Sequence, residues 1–545
     1  MKRNLPALFS QSFDLAVIGG GVNGAATARD AALRGMKVAL VEARDFSSGT
    51  SSRSSKLIHG GLRYLKQFEF RLVHEARRER RLLLNLAPHL ARPVPFLLPI
   101  FCGDPYSVLK IRLGLSIYDL LGNLGRGDHH YMMSAERALH EVPALRPEGL
   151  QAAAVYHDSE TDDARLTLEY VLDAAEHGAI VANYAEVCAF ETAPANNGPP
   201  LYLTAAEVED KLTGRRSRLS ARFWVNATGP WVDRLRSLLP RYDGLKTVRL
   251  TKGTHIIIPP VSGRYALFAA IPPSERIFVL APWHGHALLG TTDTDFDGDP
   301  ETVRPEREDA EYLLRAVNRV LRQPLTLADV RGSFAGLRPL VIQPGASPSQ
   351  NTREYRFHED PWVGNMITIC GGKLTTARSL GETLVSRLAA RLRMRSAVSL
   401  RRCRTTPFPG APDEALELFV GQATEEAAQT FKIPAATAER IARTFGKRWR
   451  NVLEPILENP GLAEPLPGGP PLLAAEVAFA IEEEMAVTLE DFLLRRSGLN
   501  WLGARALREA VPAVADIFAQ RLKWSAAERD AAVQSFAASS RGLFS

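Results

Sequence analysis

The feature that most constrains this chain is a short apolar run that leads directly into a glycine motif. Residues 14–18 precede Gly19-x-Gly21-x-x-Gly24, and a segment of small residues follows. This pattern predicts a β-strand, a tight turn and a helix whose N-terminus faces a pyrophosphate. The first glycine permits the turn, the second lets the phosphates approach the backbone, and the third lets the helix pack closely on the strand.

A second apolar run supports this interpretation. Residues 37–41 end at the carboxylate of Glu42, which lies 18 positions after Gly24. A carboxylate at the end of the second strand accepts hydrogen bonds from both ribose hydroxyls and repels a 2′-phosphate. The motif therefore predicts that the chain binds FAD or NAD rather than NADP.

The length of the chain and its patterns predict more than one domain. A chain of 545 residues is too long for one ordinary core. Strand and helix patterns alternate over residues 1–395, residues 396–413 are basic and then rich in Pro and Gly, and residues 414–545 are helical in pattern. We expect a binding region, a linker and a helical domain. Within the first region, the parts expected to bind the nucleotide are about 10–65, 150–235 and 330–392, and an inserted antiparallel sheet is expected mainly at 66–149 and 240–329.

Composition narrows the class of protein further. The cysteines Cys102, Cys188, Cys370 and Cys403 lie far apart and form no CxxC pair, which predicts a reducing compartment, no disulfide framework and no structural zinc. The net charge of +6 favours anionic partners. Nucleic acid is not expected among them, because the basic residues are spread throughout instead of forming a stripe interleaved with aromatic residues.

Two further segments have the composition of ligand-binding loops. Residues 47–64 combine small hydroxyl side chains with glycines, so they supply donors and acceptors and allow close backbone approach. Residues 367–378 form another strand, Gly-Gly turn and helix start, where free N–H groups gather and Lys373 adds a positive charge. We expect this turn to face the pyrimidine edge of a flavin.

Several motifs together make the chain similar to a known family. They are IGGGVNGAATARDAALRG, TSSRSSKLIHGGLRYL, EFRLVHEA, NATGPWVD, TKGTHIIIP, GTTDTDFDGDP, GLRPL and GGKLTTAR. From the first glycine motif to residue 390, the chain closely resembles the FAD-dependent, aerobic, membrane-associated glycerol-3-phosphate dehydrogenases. The part after residue 400 resembles the C-terminal domain of that family more weakly. The resemblance implies an α/β fold of the D-amino-acid-oxidase and glutathione-reductase type, with a discontinuous Rossmann-like FAD domain, an inserted antiparallel substrate-binding sheet and a C-terminal α-helical cap.

The resemblance also implies a role for each residue that matches a family motif. The residues expected to contact FAD are Gly19, Gly21, Gly24, Glu42, Ser51, Ser52, Lys56, Leu57, Gly372, Lys373, Leu374 and Thr375. Those expected around the phosphate and hydroxyls of the substrate are Arg63, Tyr64, Arg338 and Lys373, with Arg353 as a second-rank candidate. A phosphate dianion calls for bidentate arginine and a lysine point charge, so this set is chemically sensible.

The reaction implied is the oxidation of sn-glycerol 3-phosphate to dihydroxyacetone phosphate. A hydride leaves C2 for flavin N5, a base takes the proton of the C2 hydroxyl, and a membrane quinone receives the electrons. His59 and His255 are both candidates for the base, and each also fits a core histidine with satisfied hydrogen bonds. Arg338 completes the expected catalytic set.

Two departures from the wider family favour a bacterial-type dehydrogenase. The extra insert of the oxygen-reacting oxidases is absent, and so is the EF-hand loop of the mitochondrial members. Two other functions stay open: a sarcosine-type FAD amine oxidase, which needs no cationic cluster around a phosphate, and an RNA-binding flavoprotein, suggested only by the positive charge.

The expected location is the cytoplasmic face of the inner membrane. No run of 18 apolar residues is present, so the protein is expected to lie on an anionic membrane surface without crossing it. Residues 106–121 are the candidate anchor, because this apolar stretch carries Lys110 and Arg112 for acidic headgroups. The same stretch fits a core helix under the substrate sheet. A homodimer stays open.

Overall fold

The computed structural model describes residues 1–62, 69–122, 129–195, 198–271, 276–342, 354–393, 402–468, 472–498 and 504–540. Two large β-sheets with helices form the first part of the chain, and a helical domain follows. The strands are β1 (Ser12–Ile18), β2 (Val38–Val41), β3 (Leu57–Ile58), β4 (Arg92–Phe101), β5 (Tyr131–Ser134), β6 (Leu150–Glu160), β7 (Ile180–Ala182), β8 (Ala185–Ala195), β9 (Gly198–Asp210), β10 (Arg216–Asn226), β11 (Val248–Ile258), β12 (Ala266–Ile271), β13 (Arg276–Trp283), β14 (His286–Gly290), β15 (Thr294–Asp295), β16 (Gly332–Val341), β17 (Arg356–His358) and β18 (Met366–Cys370). The longer α-helices before residue 400 are Val22–Leu33, Phe70–Leu86, Val108–Gly122, Ala135–Glu141, Asp163–Glu176, Arg307–Val317 and Ala377–Arg391.

The first sheet has the strand order β17-β18-β10-β1-β2-β7. The strands from β18 to β7 in this order run parallel, whereas β17 pairs antiparallel with β18, and β8 and β9 extend from β10 as an antiparallel ribbon. All four residues of β2 are buried, as expected for a parallel strand that is covered on both faces. The predicted strand, turn and helix at the glycine motif are therefore confirmed.

Three helices pack together on one face of this sheet. The helix Val22–Leu33 contacts both Asp163–Glu176 and Ala377–Arg391. A side chain at Gly381 would come within 2.8 Å of the carbonyl oxygen of Ala26, so only glycine allows two of these helices to cross so closely. This close crossing fixes the direction in which the N-terminus of the first helix points.

The second sheet is the inserted, mostly antiparallel one that the sequence predicts. Its strand order is β15-β11-β14-β13-β12-β4-β6-β3, with β16 paired to β11 and β5 paired to β6. The sequence-based division grouped β6 and β16 with the nucleotide-binding parts, whereas their pairing places both in this second sheet. A strand's own pattern does not specify its partner, and the ten-residue register of β16 with β11 determines where it lies.

The helix Val108–Gly122 covers one face of the second sheet and has two different sides. Leu115 and Tyr118 are buried in the cluster beneath it, whereas Leu109, Leu113 and Leu120 are 76%, 62% and 80% exposed. The helix is therefore both a core helix and a surface helix with an apolar outer face. Within the described ranges, no helix combines the length and the hydrophobicity needed to cross a bilayer.

The C-terminal region is the helical domain that the sequence predicts. Its helices are Leu416–Phe431, Ala435–Phe445, Trp449–Leu453, Pro455–Glu458, Ala474–Glu483, Ala504–Leu522 and Ala526–Ser540, with a π-helical turn at Asp491–Arg496. They enclose two apolar clusters, one around Trp449 and one around Phe518.

The described part of the expected linker, residues 402–413, is packed against the first region. Cys403 and Phe408 are buried, and the backbone N–H of Phe408 donates to the carbonyl of Leu86 at 2.9 Å. The guanidinium of Arg29 lies 4.3 Å over the ring of Phe408 and donates to the carbonyl of Thr406 at 2.7 Å. Composition predicts a linker here, and the structure shows that several residues of this segment are buried against the first region.

Candidate functional site

A cavity of about 1120 Å³ lies where the two sheets meet. Residues that follow β1, β2, β10 and β18 line one end of it, and residues of β11 and β16 line the other. In α/β folds the carboxyl ends of parallel strands form the usual binding crevice. The sheet topology therefore brings the three glycine-containing motifs of the sequence to one site.

The glycine motif after β1 leaves the N-terminus of the helix Val22–Leu33 open to this cavity. Gly19 has φ +110°, and a Cβ atom there would lie 2.6 Å from the carbonyl oxygen of Ala227, while a Cβ at Gly24 would overlap the carbonyl of Gly19. Gly21 lines the cavity, where a Cβ would meet the Ser51 hydroxyl at 3.2 Å. This backbone cradle and the exposed helix dipole fit the pyrophosphate of a dinucleotide.

Glu42 is held at the cavity wall by two backbone hydrogen bonds. Its Oε2 accepts the N–H of Gly20 at 2.7 Å, and its Oε1 accepts the N–H of Arg44 at 2.9 Å. Burial raises the pKa of the Glu42 carboxyl, although the two backbone donors oppose that shift. A carboxylate has about four acceptor positions, so capacity remains for ribose hydroxyls.

The hydroxyl-rich loop after β2 contributes some of its predicted residues to the cavity but not all of them. The Ser51 hydroxyl accepts the N–H of Val22 at 2.9 Å, and Leu57 lines the wall. Lys56 and Ser52 are outside the lining: the Lys56 ammonium is buried, forms an ion pair with Asp163 and donates to the carbonyl of Ser52 at 2.7 Å. A buried ammonium needs a carboxylate partner, so the Lys56 side chain braces the loop from behind.

The end of the cavity at the second sheet contains a neutral histidine. His255 is 2% exposed, stacks on the ring of Phe334 at 4.9 Å, and its Nε2 lies 2.8 Å from the hydroxyl of Ser55. Burial, with the positive charges of Arg338 and Lys56, lowers the pKa of His255 to about 3. The imidazole is therefore unprotonated at neutral pH. The second candidate base, His59, lines the same cavity.

Cationic side chains reach this end of the cavity from two directions. Arg338 projects from β16, where its guanidinium donates to the Thr291 hydroxyl at 2.8 Å and lies 3.4 Å from Asp293. Lys373 follows the Gly371-Gly372 turn and also lines the cavity. An anion with two or more oxygens fits such a pair, because a guanidinium binds in a fork and an ammonium acts as a point charge.

The turn after β18 is joined to both other motifs. The Asn23 amide of the first helix donates to the carbonyl of Gly371 at 3.1 Å, and the backbone N–H of His59 donates to the Thr375 hydroxyl at 3.2 Å. Gly372, Leu374 and Thr375 all line the cavity, and the expectation that this turn faces a flavin stays a prediction. Of the other predicted substrate residues, Arg63, Tyr64 and Arg353 lie outside the described residues.

Some residues of the cavity had no assigned role in the sequence analysis. Arg53 lines it, and burial lowers the pKa of its guanidinium to about 10. Arg44 also lines it, with its guanidinium 5.5 Å from the ring centre of Trp231. Arg53 and Trp231 both lie inside motifs that carry the family resemblance. Their position in those motifs was the sequence feature that could have identified them as site residues.

The fold and this cradle define a class of protein, the FAD-dependent oxidoreductases with an inserted substrate sheet. The family model described as "FAD dependent oxidoreductase" matches residues 14–387, and the one described as "C-terminal domain of alpha-glycerophosphate oxidase" matches residues 402–529. The expected cofactor, FAD, and the enzyme class are thereby confirmed. The residues at the cavity fit that cofactor, because the cradle and Glu42 meet at its dinucleotide end.

Full-length relatives narrow the class to a family. The chain is 34% identical to a glycerol-3-phosphate dehydrogenase of Synechocystis over 98% of its length and 97% of the relative. It is also 34% identical to the aerobic glycerol-3-phosphate dehydrogenase of Bacillus subtilis, over 96% and 93%. It therefore belongs to the FAD-dependent glycerol-3-phosphate dehydrogenase family, as the motifs predict.

Solved structures agree with this membership. The glycerol-3-phosphate dehydrogenase of Bacillus halodurans, solved with FAD, matches with a TM-score of 0.79 and 29% identity over 98% of this chain and 96% of that one. The L-α-glycerophosphate oxidase of Mycoplasma pneumoniae, also solved with FAD, matches with a TM-score of 0.54 and 20% identity over 70% and 94%. The second likeness is one of fold alone.

The cradle generates a prediction about cofactor retention. Gly21→Val should yield apoprotein, because the added methyl groups would occupy the space through which a pyrophosphate approaches the helix N-terminus. Glu42→Gln should weaken FAD binding more mildly, by about 1–3 kcal/mol, because charge-assisted hydrogen bonds are lost. The measurement is the ratio of flavin to protein absorbance after purification. A Gly21→Val protein that retains a full complement of flavin would contradict the assignment of this motif.

Proposed function

We propose that this protein oxidises sn-glycerol 3-phosphate at C2 to dihydroxyacetone phosphate. The observation that carries the proposal is the presence of Arg338, Lys373 and two histidines in the same cavity as the glycine cradle. The cations suit a phosphate monoester, and the histidines suit the removal of a hydroxyl proton. The names of the full-length relatives support the same substrate.

The chain's own residues would bind and orient the substrate. Arg338 is held by the Thr291 hydroxyl and lies near Asp293, so its guanidinium is already ordered before an anion arrives. Lys373 adds charge from the opposite motif and so brings the phosphate between β16 and the turn after β18. Bound FAD supplies the acceptor for the hydride of C2, and we propose a membrane quinone as the next acceptor.

One of the two histidines would accept the proton of the C2 hydroxyl. His255 is neutral at physiological pH, since burial and adjacent cations keep its pKa near 3, and its Nε2 is already within hydrogen-bond distance of the Ser55 hydroxyl. The backbone of His59 is fixed by Thr375, on the turn that also carries Lys373. Both satisfy the first requirement for a general base, which is access to the reacting site.

The enzyme would reach its quinone from the membrane surface. The outer face of the helix Val108–Gly122 exposes Leu109, Leu113 and Leu120, and Lys110 lies beside them. Contiguous exposed leucines of this kind mark an interaction surface, and a lysine stem can reach acidic headgroups. We propose that this face lies in the interfacial layer of an anionic membrane on the cytoplasmic side.

The sarcosine-type amine oxidase is the weaker alternative. Its substrates carry no phosphate, so they would not use the positive charges that Arg338 and Lys373 bring to the cavity. We retain no second function.

The cationic pair generates the test of substrate class. Arg338→Ala and Lys373→Ala should each lower kcat/KM for glycerol 3-phosphate. The loss of transition-state stabilisation should be roughly 3–5 kcal/mol, because a desolvated phosphate loses a charged partner. The flavin spectrum should not change. Arg249→Ala is the control, because Arg249 lies on β11 in an exposed ion pair with Asp295. Near-normal kcat/KM in either variant, or equal oxidation of unphosphorylated glycerol by the wild type, would refute the proposal.

The histidines generate a prediction about the chemical step. Replacing the base with Asn should slow anaerobic flavin reduction at saturating glycerol 3-phosphate by roughly 10²–10⁴-fold, the usual contribution of general-base catalysis. If His255 is the base, the wild-type rate should stay flat from pH 8 down to 5, since a group with a pKa near 3 remains unprotonated there. Stopped-flow absorbance measures the rate. If His59→Asn and His255→Asn both stay within tenfold of wild type, neither histidine is the base.

The apolar helix face generates a prediction about membrane binding. Wild-type protein should float with anionic vesicles, and Leu113→Glu/Ile117→Glu should abolish flotation, because two charges would enter the interfacial layer. These side chains are 62% and 39% exposed, so the change should leave the fold and the FAD content intact. Leu457→Glu is the control, an equally exposed leucine in the C-terminal domain. If the double variant still floats, the helix is not the anchor, and if wild type binds no vesicles, the peripheral location is wrong.

A further inference from the structure

A buried ion cluster joins the C-terminal domain to the cofactor-binding region. The carboxylate of Asp45 has no exposed surface and accepts from three guanidinium nitrogens: Nε of Arg495 at 2.6 Å, and both terminal nitrogens of Arg496 at 2.8 Å. Burial alone would raise the pKa of Asp45, but the two arginines outweigh burial and lower it, so the carboxylate is charged. Both arginines belong to the π-helical turn of the C-terminal domain.

Asp45 is the first residue of the loop that lines the end of the cavity expected to bind the pyrophosphate. The next residue, Phe46, places its ring against Gly20, and the backbone N–H of Ser47 donates to the carbonyl of Gly20 at 3.1 Å. Residues 48–51 then line the cavity, and the last of them, Ser51, bonds to the helix N-terminus. The position of Asp45 therefore determines where this loop begins relative to the glycine motif.

The same part of the C-terminal domain contacts a second wall of the cavity. The hydroxyl of Tyr184 donates to Asp491 at 2.7 Å, and its backbone N–H donates to the carbonyl of Arg44 at 2.9 Å. Tyr184 and Arg44 both line the cavity near Glu42. One residue earlier, the amide of Asn183 donates to the carbonyl of Met485 at 2.8 Å.

Among the described residues that line the cavity, none belongs to the C-terminal domain, although that domain contacts two of the cavity's walls. Asp45 also accepts from the Asn183 amide at 3.4 Å, but Arg495 and Arg496 are the cations paired with it, and both belong to the C-terminal domain. Undocking that domain would remove the counter-charges of a buried carboxylate, which is strongly unfavourable.

The rest of the loop, from Phe46 to Ser51, is held on the cofactor-binding side by Gly20, by the bond from the Val22 N–H to the Ser51 hydroxyl, and by the Thr50 hydroxyl, which donates to the carbonyl of Leu337 at 2.6 Å. The first residue of the loop, Asp45, is the one whose side chain is held by the arginines of the C-terminal domain. Through Asp45, the start of the loop is therefore tied to the docking of the domain.

We infer that Arg495 and Arg496 are positioning residues for FAD: they act through Asp45 to hold the pyrophosphate-binding loop, so that FAD binding and docking of the C-terminal domain are thermodynamically linked. Linkage is reciprocal, so FAD must strengthen the docking by the same factor by which docking strengthens FAD binding. The inference concerns the cofactor alone and does not depend on which substrate the enzyme oxidises.

Site-directed variants of the full-length protein test the first half of the linkage. Arg496→Met and Asp45→Asn should raise the Kd of the apoprotein for FAD by at least tenfold, measured by quenching of flavin fluorescence. The Kd of Arg496→Lys should fall between those of wild type and Arg496→Met, because lysine keeps the charge but cannot form the two parallel hydrogen bonds to Asp45. Arg443→Met is the matched control: it removes an arginine from the same domain, where it pairs with the exposed Glu417, and should leave the Kd unchanged. A Kd within twofold of wild type in folded Arg496→Met and Asp45→Asn would overturn the inference.

Hydrogen exchange in the wild-type protein tests the other half and needs no variant. Adding FAD to the apoprotein should slow amide exchange in residues 484–496 as well as in residues 46–51, whereas the helix Leu416–Phe431 should be unaffected. An ion cluster that only stabilises the fold would give the same exchange at 484–496 with and without FAD. That result would overturn the linkage even if every variant failed to fold.

Discussion

The close approach of backbone to backbone around the helix Val22–Leu33 is the constraint on which the rest of the structure depends. At its start, the carbonyl of Gly19 occupies the space where a Cβ of Gly24 would lie. Further along, Gly381 of the helix Ala377–Arg391 meets the carbonyl of Ala26. Because these contacts exclude any side chain, they hold the helix N-terminus between β1 and β10 and aim it into the cavity.

Buried charges then connect this cradle to distant parts of the chain. Lys56 and Asp163 brace the loop after β2 from behind, and Arg378 and Glu79 tie the helix after β18 to the helix Phe70–Leu86. The buried ion pair between Asp45 and Arg496 connects the same region to the C-terminal domain. A buried ion pair contributes little net stability, but breaking one leaves an uncompensated charge, so these pairs specify which surfaces may dock. The cofactor site is the place where the docked surfaces meet.

Electrostatics also divides the cavity into two chemical ends. At the dinucleotide end, the helix N-terminus attracts phosphate, and Glu42 suits ribose hydroxyls. At the other end, Arg338 and Lys373 bring positive charge that favours an anion, while burial, together with the charges of Arg338 and Lys56, lowers the pKa of His255. A neutral imidazole is the form that can accept a proton, so Arg338 contributes both to the positive charge of this end and to the unprotonated state of His255.

Local patterns determined much of this molecule. The residues around Gly19, Gly21 and Gly24 predicted the cradle, the position of Glu42 predicted its place at the end of β2, and helical periodicity predicted the C-terminal domain. Each of these features depends on neighbours within a few residues or on the stereochemistry of one turn, so it can be read from a short segment.

Tertiary structure decided the features that depend on partners far away in the chain. It assigned β6 and β16 to the second sheet, turned the Lys56 ammonium to Asp163, and gave the helix Val108–Gly122 both a buried side and an exposed side. It also paired Asp45 with Arg496, which stands 451 positions later. The physical reason is the same in each case: a buried charge or strand edge must be satisfied by whatever group the packing brings beside it, and local sequence patterns do not specify that group.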